Sequence, residues 1–202
     1  MQKPVRFLLA CATFLALAAC NREQPSITPQ AIPQQPPFKP SASIQDLMTS
    51  IVDPSADALW ESVSSEMTSK GVEEKQPRTD QEWLAVRRDA IALLEAGNLL
   101  MMNGRPVTHG GKTTEDAHIE GVSNPSQIRQ AIDADPARFQ ASALVLHDAA
   151  AQALAAVDAK DPARLMLAGE KLDQACESCH SVYWYPNAKQ PPAKWPAPFK
   201  SR

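Results

Sequence analysis

Cys176-Glu177-Ser178-Cys179-His180 constrains the fold of this chain more than any other stretch. It reads Cys-x-x-Cys-His, the attachment pattern of a c-type haem. Two thiols add to the haem vinyl groups, and the adjacent imidazole takes one axial position on the iron. Cys176, Cys179 and His180 stand at i, i+3 and i+4, so all three share one face of a helix. That face can lie flat against the edge of a porphyrin. A zinc site needs two more ligands at short spacing, and the sequence has no second Cys pair. A thiol–disulfide pair belongs beside a βαβ pattern, and no strand pattern is evident. A haem-free dithiol protein stays as the weaker alternative.

The beginning of the chain indicates where such a protein works. Lys3 and Arg6 form a short basic segment, and an apolar run follows from Phe7 to Ala19. The run is too short and too close to the N-terminus for a spanning helix. Leu17-Ala18-Ala19-Cys20 resembles a bacterial lipoprotein box, in which cleavage precedes the cysteine and its thiol is acylated. Residues 1–19 are therefore expected to be a signal peptide, with lipid on Cys20 tethering the mature protein to a membrane surface. The expected location is the periplasmic side, and Asn21 slightly favours the outer membrane. The four cysteines are then accounted for. Cys11 leaves with the signal peptide, Cys20 carries lipid, and Cys176 and Cys179 hold haem. Cleavage removes two basic residues and no acid, which takes the net charge from −3 to −5. That balance argues against nucleic acid as a partner.

Residues 21–42 are rich in Pro, Gln and Ser, which reads as a tether; with the acylated cysteine it spans 20–42. Four helical segments and no strand follow. The first is expected from about Ser43 to Met67. Ile44, Leu47, Met48, Ile51 and Val52 give one apolar face, which Leu59, Trp60, Val63 and Met67 continue. Pro54 should kink or restart this helix, with Asp53 as a local cap. The second helix opens on the capping box Thr79-Asp80-Gln81-Glu82, carries Trp83, Leu84, Ala90, Ile91, Leu94 and Leu99, and stops at Asn103-Gly104-Arg105-Pro106. The third and fourth open alike, Asp135-Pro136-Ala137-Arg138 and Asp161-Pro162-Ala163-Arg164, with Asp capping and Pro in the first turn. Phe139, Leu144, Val145, Ala151 and Leu154 are expected inside the third helix. Leu165, Leu167, Ala168 and Leu172 are expected inside the fourth. Four helices of about 20 residues around one core predict an all-α, antiparallel, up-down-up-down four-helix bundle over 43–185. The connection 105–134 is long for a compact domain and reads as functional or mobile, with a possible short helix after Asn124-Pro125. The tail 186–202 is Pro-rich.

A four-helix bundle with one Cys-x-x-Cys-His near its C-terminus resembles the class II cytochromes c, the cytochrome c-prime family. The resemblance spans about 43–185 and rests on Cys176, Cys179, His180 and the aromatic Tyr183. Many members carry a basic residue after that aromatic, where this chain has Trp184. The resemblance implies one covalent haem c, with Cys176 and Cys179 as attachment points and His180 as proximal ligand. High-spin members leave the distal position open and bind NO or CO. Low-spin members fill it with a Met near the start of the first helix and transfer electrons.

In such a bundle the haem sits where the fourth helix ends and the first begins. Met67 and Met166 then lie near the opposite end, and His147 lies roughly 18 Å along the third helix. Met48, Met101, Met102, His109 and His118 remain as candidates for the sixth ligand. Spacing alone reads Met48 as a core filler. The resemblance implies that it is the distal ligand, with His109, His118 or an open position as alternatives. Met101 and Met102 are expected to line the haem end of the core. Trp60 and Trp83 read as packing aromatics, and Tyr183, Trp184 and Tyr185 as cover for the haem edge. Arg87 and Arg88 fit a solvated helix face.

The expected protein is a one-electron carrier with redox protein partners of a respiratory or periplasmic chain, not a substrate-converting enzyme. A gas-binding high-spin protein is the main alternative. The resemblance also implies possible homodimers through the first two helices.

Overall fold

The computed structural model describes residues 38–188. The expected signal segment 1–19, Cys20, the tether up to residue 37 and the tail from residue 189 lie outside the described residues.

Helix α1 (Ile44–Leu47) opens on a capping box: Asp46 N donates to Ser43 Oγ at 3.0 Å, and Ser43 N donates to Asp46 Oδ2 at 2.8 Å. A π-helical turn, Met48–Val52, runs directly into α2 (Asp53–Ser62). Pro54 has no N–H for the carbonyl four residues back, and its ring crowds that carbonyl. The helix widens there instead of breaking. A new α-helix does start at Asp53, as expected, but the cap role given to Asp53 is corrected: Val52 is the N-cap, and no side-chain cap bond opens α2.

The first helix also ends earlier than expected. Val63 is extended (φ −136°, ψ 135°), and an antiparallel hairpin follows, β1 (Ser64–Thr68) and β2 (Gly71–Lys75). Ser64, Ser65 and Thr68 are poor helix formers. Gly71, at φ 115°, supplies the left-handed turn that a side chain would resist. Met67 sits opposite Val72 in this hairpin and is 81% exposed, so it leaves the apolar face assigned to it.

The remaining helices follow the cap chemistry of the sequence. Helix α3 (Asp80–Leu100) begins with Thr79 and Glu82 as a reciprocal capping box. Helix α4 (Pro125–Ala134) begins at Asn124, α5 (Pro136–Asp158) at Asp135 and α6 (Pro162–Tyr183) at Asp161. The last two caps accept from Arg138 N and Arg164 N, each at 3.0 Å.

Helix α3 packs on α5, α5 on α6, and α2 on both α3 and α6. These four helices share one apolar core. Leu59 from α2, Leu93 from α3, and Leu165 and Leu172 from α6 are completely buried or nearly so. Each contributes roughly 1.5–3 kcal/mol by leaving water. Helix α5 faces them with an alanine stripe, including Ala149, Ala150, Ala153 and Ala156. Leu144 and Val145, expected inside, are about half exposed, as are Leu84 and Leu167. The small residues on α5 allow close helix approach, and the larger side chains are turned outward. A second, smaller cluster joins Val107, Ile128, Ile132 and Tyr183, with Phe139 and Cys179 against it. Among the described residues no helix is long and apolar enough to cross a membrane.

Candidate haem site

The last two turns of α6 carry the Cys-x-x-Cys-His motif. Cys176 is buried, Cys179 half-buried, and both are free thiols. The helix face they share with His180 borders a cleft. Its walls come from α1, the π turn and the start of α2 (Ile44, Gln45, Met48, Thr49, Asp53), from the connection after α3 (Val107, Thr114, Glu115), and from Ile128, Phe139, Tyr183 and Trp184. The cleft encloses about 910 Å³ of empty space, its open mouth included. A smaller pocket continues it inward past Val52, Leu100, Leu146 and Cys176, sharing Met48, Phe139, Cys179 and His180 with it.

The ionisable groups in this wall are tuned by burial. Desolvation holds His180 down to about 4, which keeps the imidazole neutral, the form that can bind a metal. Burial, assisted by the carboxylates of Asp53 and Asp173, pushes the Cys176 thiol up to about 12. Burial likewise pushes Cys179 to about 11, against a small opposing effect of Ser142. Thiols held protonated are unsuited to thiol–disulfide exchange, which needs an accessible thiolate. Asp53 is raised to about 6, first by desolvation and then by Asp57 and Glu115. The residue as a whole remains exposed at the mouth.

The cleft suits a large apolar ring with polar edges. Its wall is aliphatic and aromatic, with Phe139 edge-on to Tyr183 at 5.3 Å. The buried Tyr183 hydroxyl has no protein partner, and a polar group of a bound cofactor would satisfy it. Among the described residues no cluster of three His, Cys, Asp or Glu is arranged to hold a metal ion on its own.

Aromatics crowd the His180 imidazole, and Trp184 itself lines the cleft. The Trp184 and Tyr185 rings lie edge-on to the imidazole at 5.1 and 6.3 Å. The Tyr185 hydroxyl donates to Glu177, inside the motif itself. The long connection is laced to this wall. Ser123 N donates to Trp184 O at 2.6 Å, Trp184 Nε1 to Glu115 O at 3.3 Å, and Thr114 Oγ1 to Ser123 O at 3.0 Å. Gly121 lies so close to the chain at Asn187 and Ala188 that a Cβ would meet its backbone at 2.6 Å. The connection expected to be functional or mobile is a strap fastened to the end of α6.

Of the sixth-ligand candidates, Met48 shares the cleft with His180 and Cys179. His109 is exposed and pairs with Asp46, Nε2 to Oδ2 at 2.7 Å. His118 is exposed. Neither histidine lines the cleft or the smaller pocket, nor do Met101 and Met102. Met101 packs on the core, and Met102 Sδ accepts from the buried Arg105 at 3.5 Å. His147 sits against Gly97 where α5 crosses α3. Arg87 pairs with Asp158 at 2.7 Å on the exposed face.

Sequence reasoning missed Asp53, Thr114, Glu115 and Val107 as wall residues, and Arg105 as a clamp. Arg105 donates to Leu99 O at 3.1 Å and to Ala42 O, joining the end of α3 to the entry of the chain. A buried arginine in a stop sequence such as Asn-Gly-Arg-Pro gives no sign of this in the sequence.

Residues 102–184 match the model of the family described as Cytochrome C'. The match takes in the haem motif and stops short of Met48. It supports the cytochrome c-prime class, with the haem cofactor that class implies. No curated protein and no solved structure matches the chain.

Proposed function

We propose that this chain is a monohaem c-type cytochrome that carries single electrons, built as an up-down-up-down four-helix bundle. Cys176 and Cys179 hold the haem covalently, His180 is the proximal ligand and Met48 the distal one. The haem supplies the Fe(III)/Fe(II) couple when bound. The chain's residues do the rest. The buried neutral imidazole of His180 is ready to ligate without losing a proton. The Trp184 and Tyr185 rings fix its plane. Ile44, Val107, Ile128 and Phe139 keep water from the ring faces. A thioether opposite imidazole favours the ferrous state and raises the potential. A lipid on Cys20 would anchor the protein on the periplasmic side, with the outer membrane favoured, within reach of redox proteins of a respiratory or periplasmic chain. No acid–base or nucleophilic step is assigned, so the protein is read as a carrier rather than an enzyme.

The observation that carries the reading is that Met48 and His180 border one cleft while the other candidate ligands border neither it nor the smaller pocket. The visible spectrum of the reduced protein, with and without CO, tests it. A sharp low-spin α band indifferent to CO is expected, and Met48→Ala should convert it to a broad, CO-sensitive spectrum. A wild-type protein that already binds CO would instead be the gas-binding high-spin type.

A further inference from the structure

We propose that Pro54 is a positioning residue: it opens the π turn at 48–52, and that turn aims Met48 into the cleft. The inference rests on the reading of Met48 as distal ligand.

The burial pattern records the widened turn. Along α2 the inward residues follow the ordinary helical period: Val52, Ala56, Leu59 and Val63, all at most 4% exposed. Upstream, the next fully inward side chain is Leu47, 2% exposed and five residues before Val52 rather than four. On the cleft face, Asp53 is preceded by both Thr49 and Met48, so the turn brings a residue five back to that face beside the one four back. The Asp53 N–H donates to Met48 O, the five-residue bond that defines a π turn. The inward face changes phase at the same place.

Pro54 supplies the cause. In a continuous α-helix its N–H would bond the Ser50 carbonyl, but proline has no N–H and its ring presses on that carbonyl. With an ordinary residue at this position, the α2 face stays docked through Val52, Ala56 and Leu59. The preceding segment then rotates by about 100°, one residue's worth of helical turn. Met48 would fall in line with Val52, which does not line the cleft, and Thr49, already at the cleft, would stay there in line with Asp53. The distal wall would lose its thioether. Ile44 N and Gln45 N donate to Pro106 O and Val107 O at 2.8 and 3.0 Å, so α1 has its own anchor to the connection after α3. The experiment therefore measures whether Pro54 or that anchor sets the phase.

The test uses the haem-loaded protein in four forms: wild type, Met48→Ala, Pro54→Ala, and Pro54→Ala with Ser50 deleted. Ser50 is exposed. Removing it leaves Met48 four residues before Asp53, so a plain α-helix would put both back on the cleft face. Far-ultraviolet circular dichroism checks folding, and the reduced spectrum with and without CO reads ligation. The expected result is loss of the low-spin band in Pro54→Ala and its return in the deletion variant. A Pro54→Ala spectrum like the wild type, while Met48→Ala differs, overturns the role of Pro54 and leaves the ligand in place. A loss that the deletion does not repair also overturns it. A Met48→Ala spectrum identical to the wild type overturns the ligand assignment and this inference with it. Should Pro54→Ala not fold, the deletion variant decides alone: a low-spin, CO-indifferent spectrum supports the role, and any other result refutes it.

Discussion

Gly97 of α3 lies tight against His147 of α5, and Gly97→Ala puts a number on that contact. Alanine in a helix interior is better than glycine by about 1 kcal/mol, so propensity alone predicts a gain. The new Cβ, however, would sit 2.9 Å from His147 Cβ, 3.1 Å from His147 Cα and 3.3 Å from Ala143 O. Comfortable carbon contacts are about 3.5–4.0 Å. Two of the three obstacles are backbone atoms, so no rotamer change makes room and α5 must retreat by roughly half an ångström to one ångström. Its neighbours in the core, Ala96 and Ala150, are fully buried with no slack around them. Overpacking of this kind costs about 1–3 kcal/mol. The two effects leave a net loss of about 1 kcal/mol, which lowers the urea midpoint by about 0.5 M at a slope near 2 kcal/mol/M. Because the clash is with Cβ and backbone, His147→Ala should not rescue it. Urea unfolding of the three variants is the assay. A Gly97→Ala protein as stable as the wild type would show that the helices are not locked at this crossing.

Asp53 gives a pH signature. Its folded value is raised to about 6, well above the ordinary aspartate value of 3.8, so the folded state holds the proton more tightly. Stability from this group is present below about pH 4 and is lost as pH rises through about 6. Solvent contact at the mouth screens the effect, to about 1 kcal/mol or less. Asp53→Asn should therefore raise the melting temperature at pH 7 and leave it unchanged at pH 3.5; an equal shift at both would refute the assignment. Gly121→Ala meets both a positive φ of 91° and the 2.6 Å approach to the chain at Asn187 and Ala188. It should unfasten the strap, seen as faster amide exchange at Ser123 N than in the wild type, with unchanged exchange there refuting the reading.

The helices that were legible in the sequence are those whose ends are written in cap chemistry. Thr79 with Glu82, Asp135-Pro136 and Asp161-Pro162 each mark a start that side-chain and backbone bonds fix locally. The haem motif was legible for the same reason, since its three residues need only one helix. The end of the first helix was not legible. Val63 and Met67 keep the helical period, but Ser64, Ser65 and Gly71 favour a hairpin, and the period of the apolar residues concealed this. The inward face of α5 was misread because Leu144 and Val145 outweigh alanine on any hydropathy count. Packing instead selects the small residues where two helices must touch. The wall of the cleft drawn from Thr114 and Glu115 depends on how a long connection folds back, and local sequence carries no signal for that.

The first described residues lie beside the cleft. Ile44 and Gln45 bond Pro106 and Val107 and also line the cavity, while Arg105 fastens Ala42. Whatever holds the N-terminus thus holds the cofactor end of the domain, not the hairpin. With lipid on Cys20, as proposed, the 22 residues from Asn21 to Ala42 can span no more than about 80 Å in any conformation. A membrane-bound partner would then meet the cleft only within that height of the bilayer surface. Lengthening the segment would extend that reach without touching a single residue of the site.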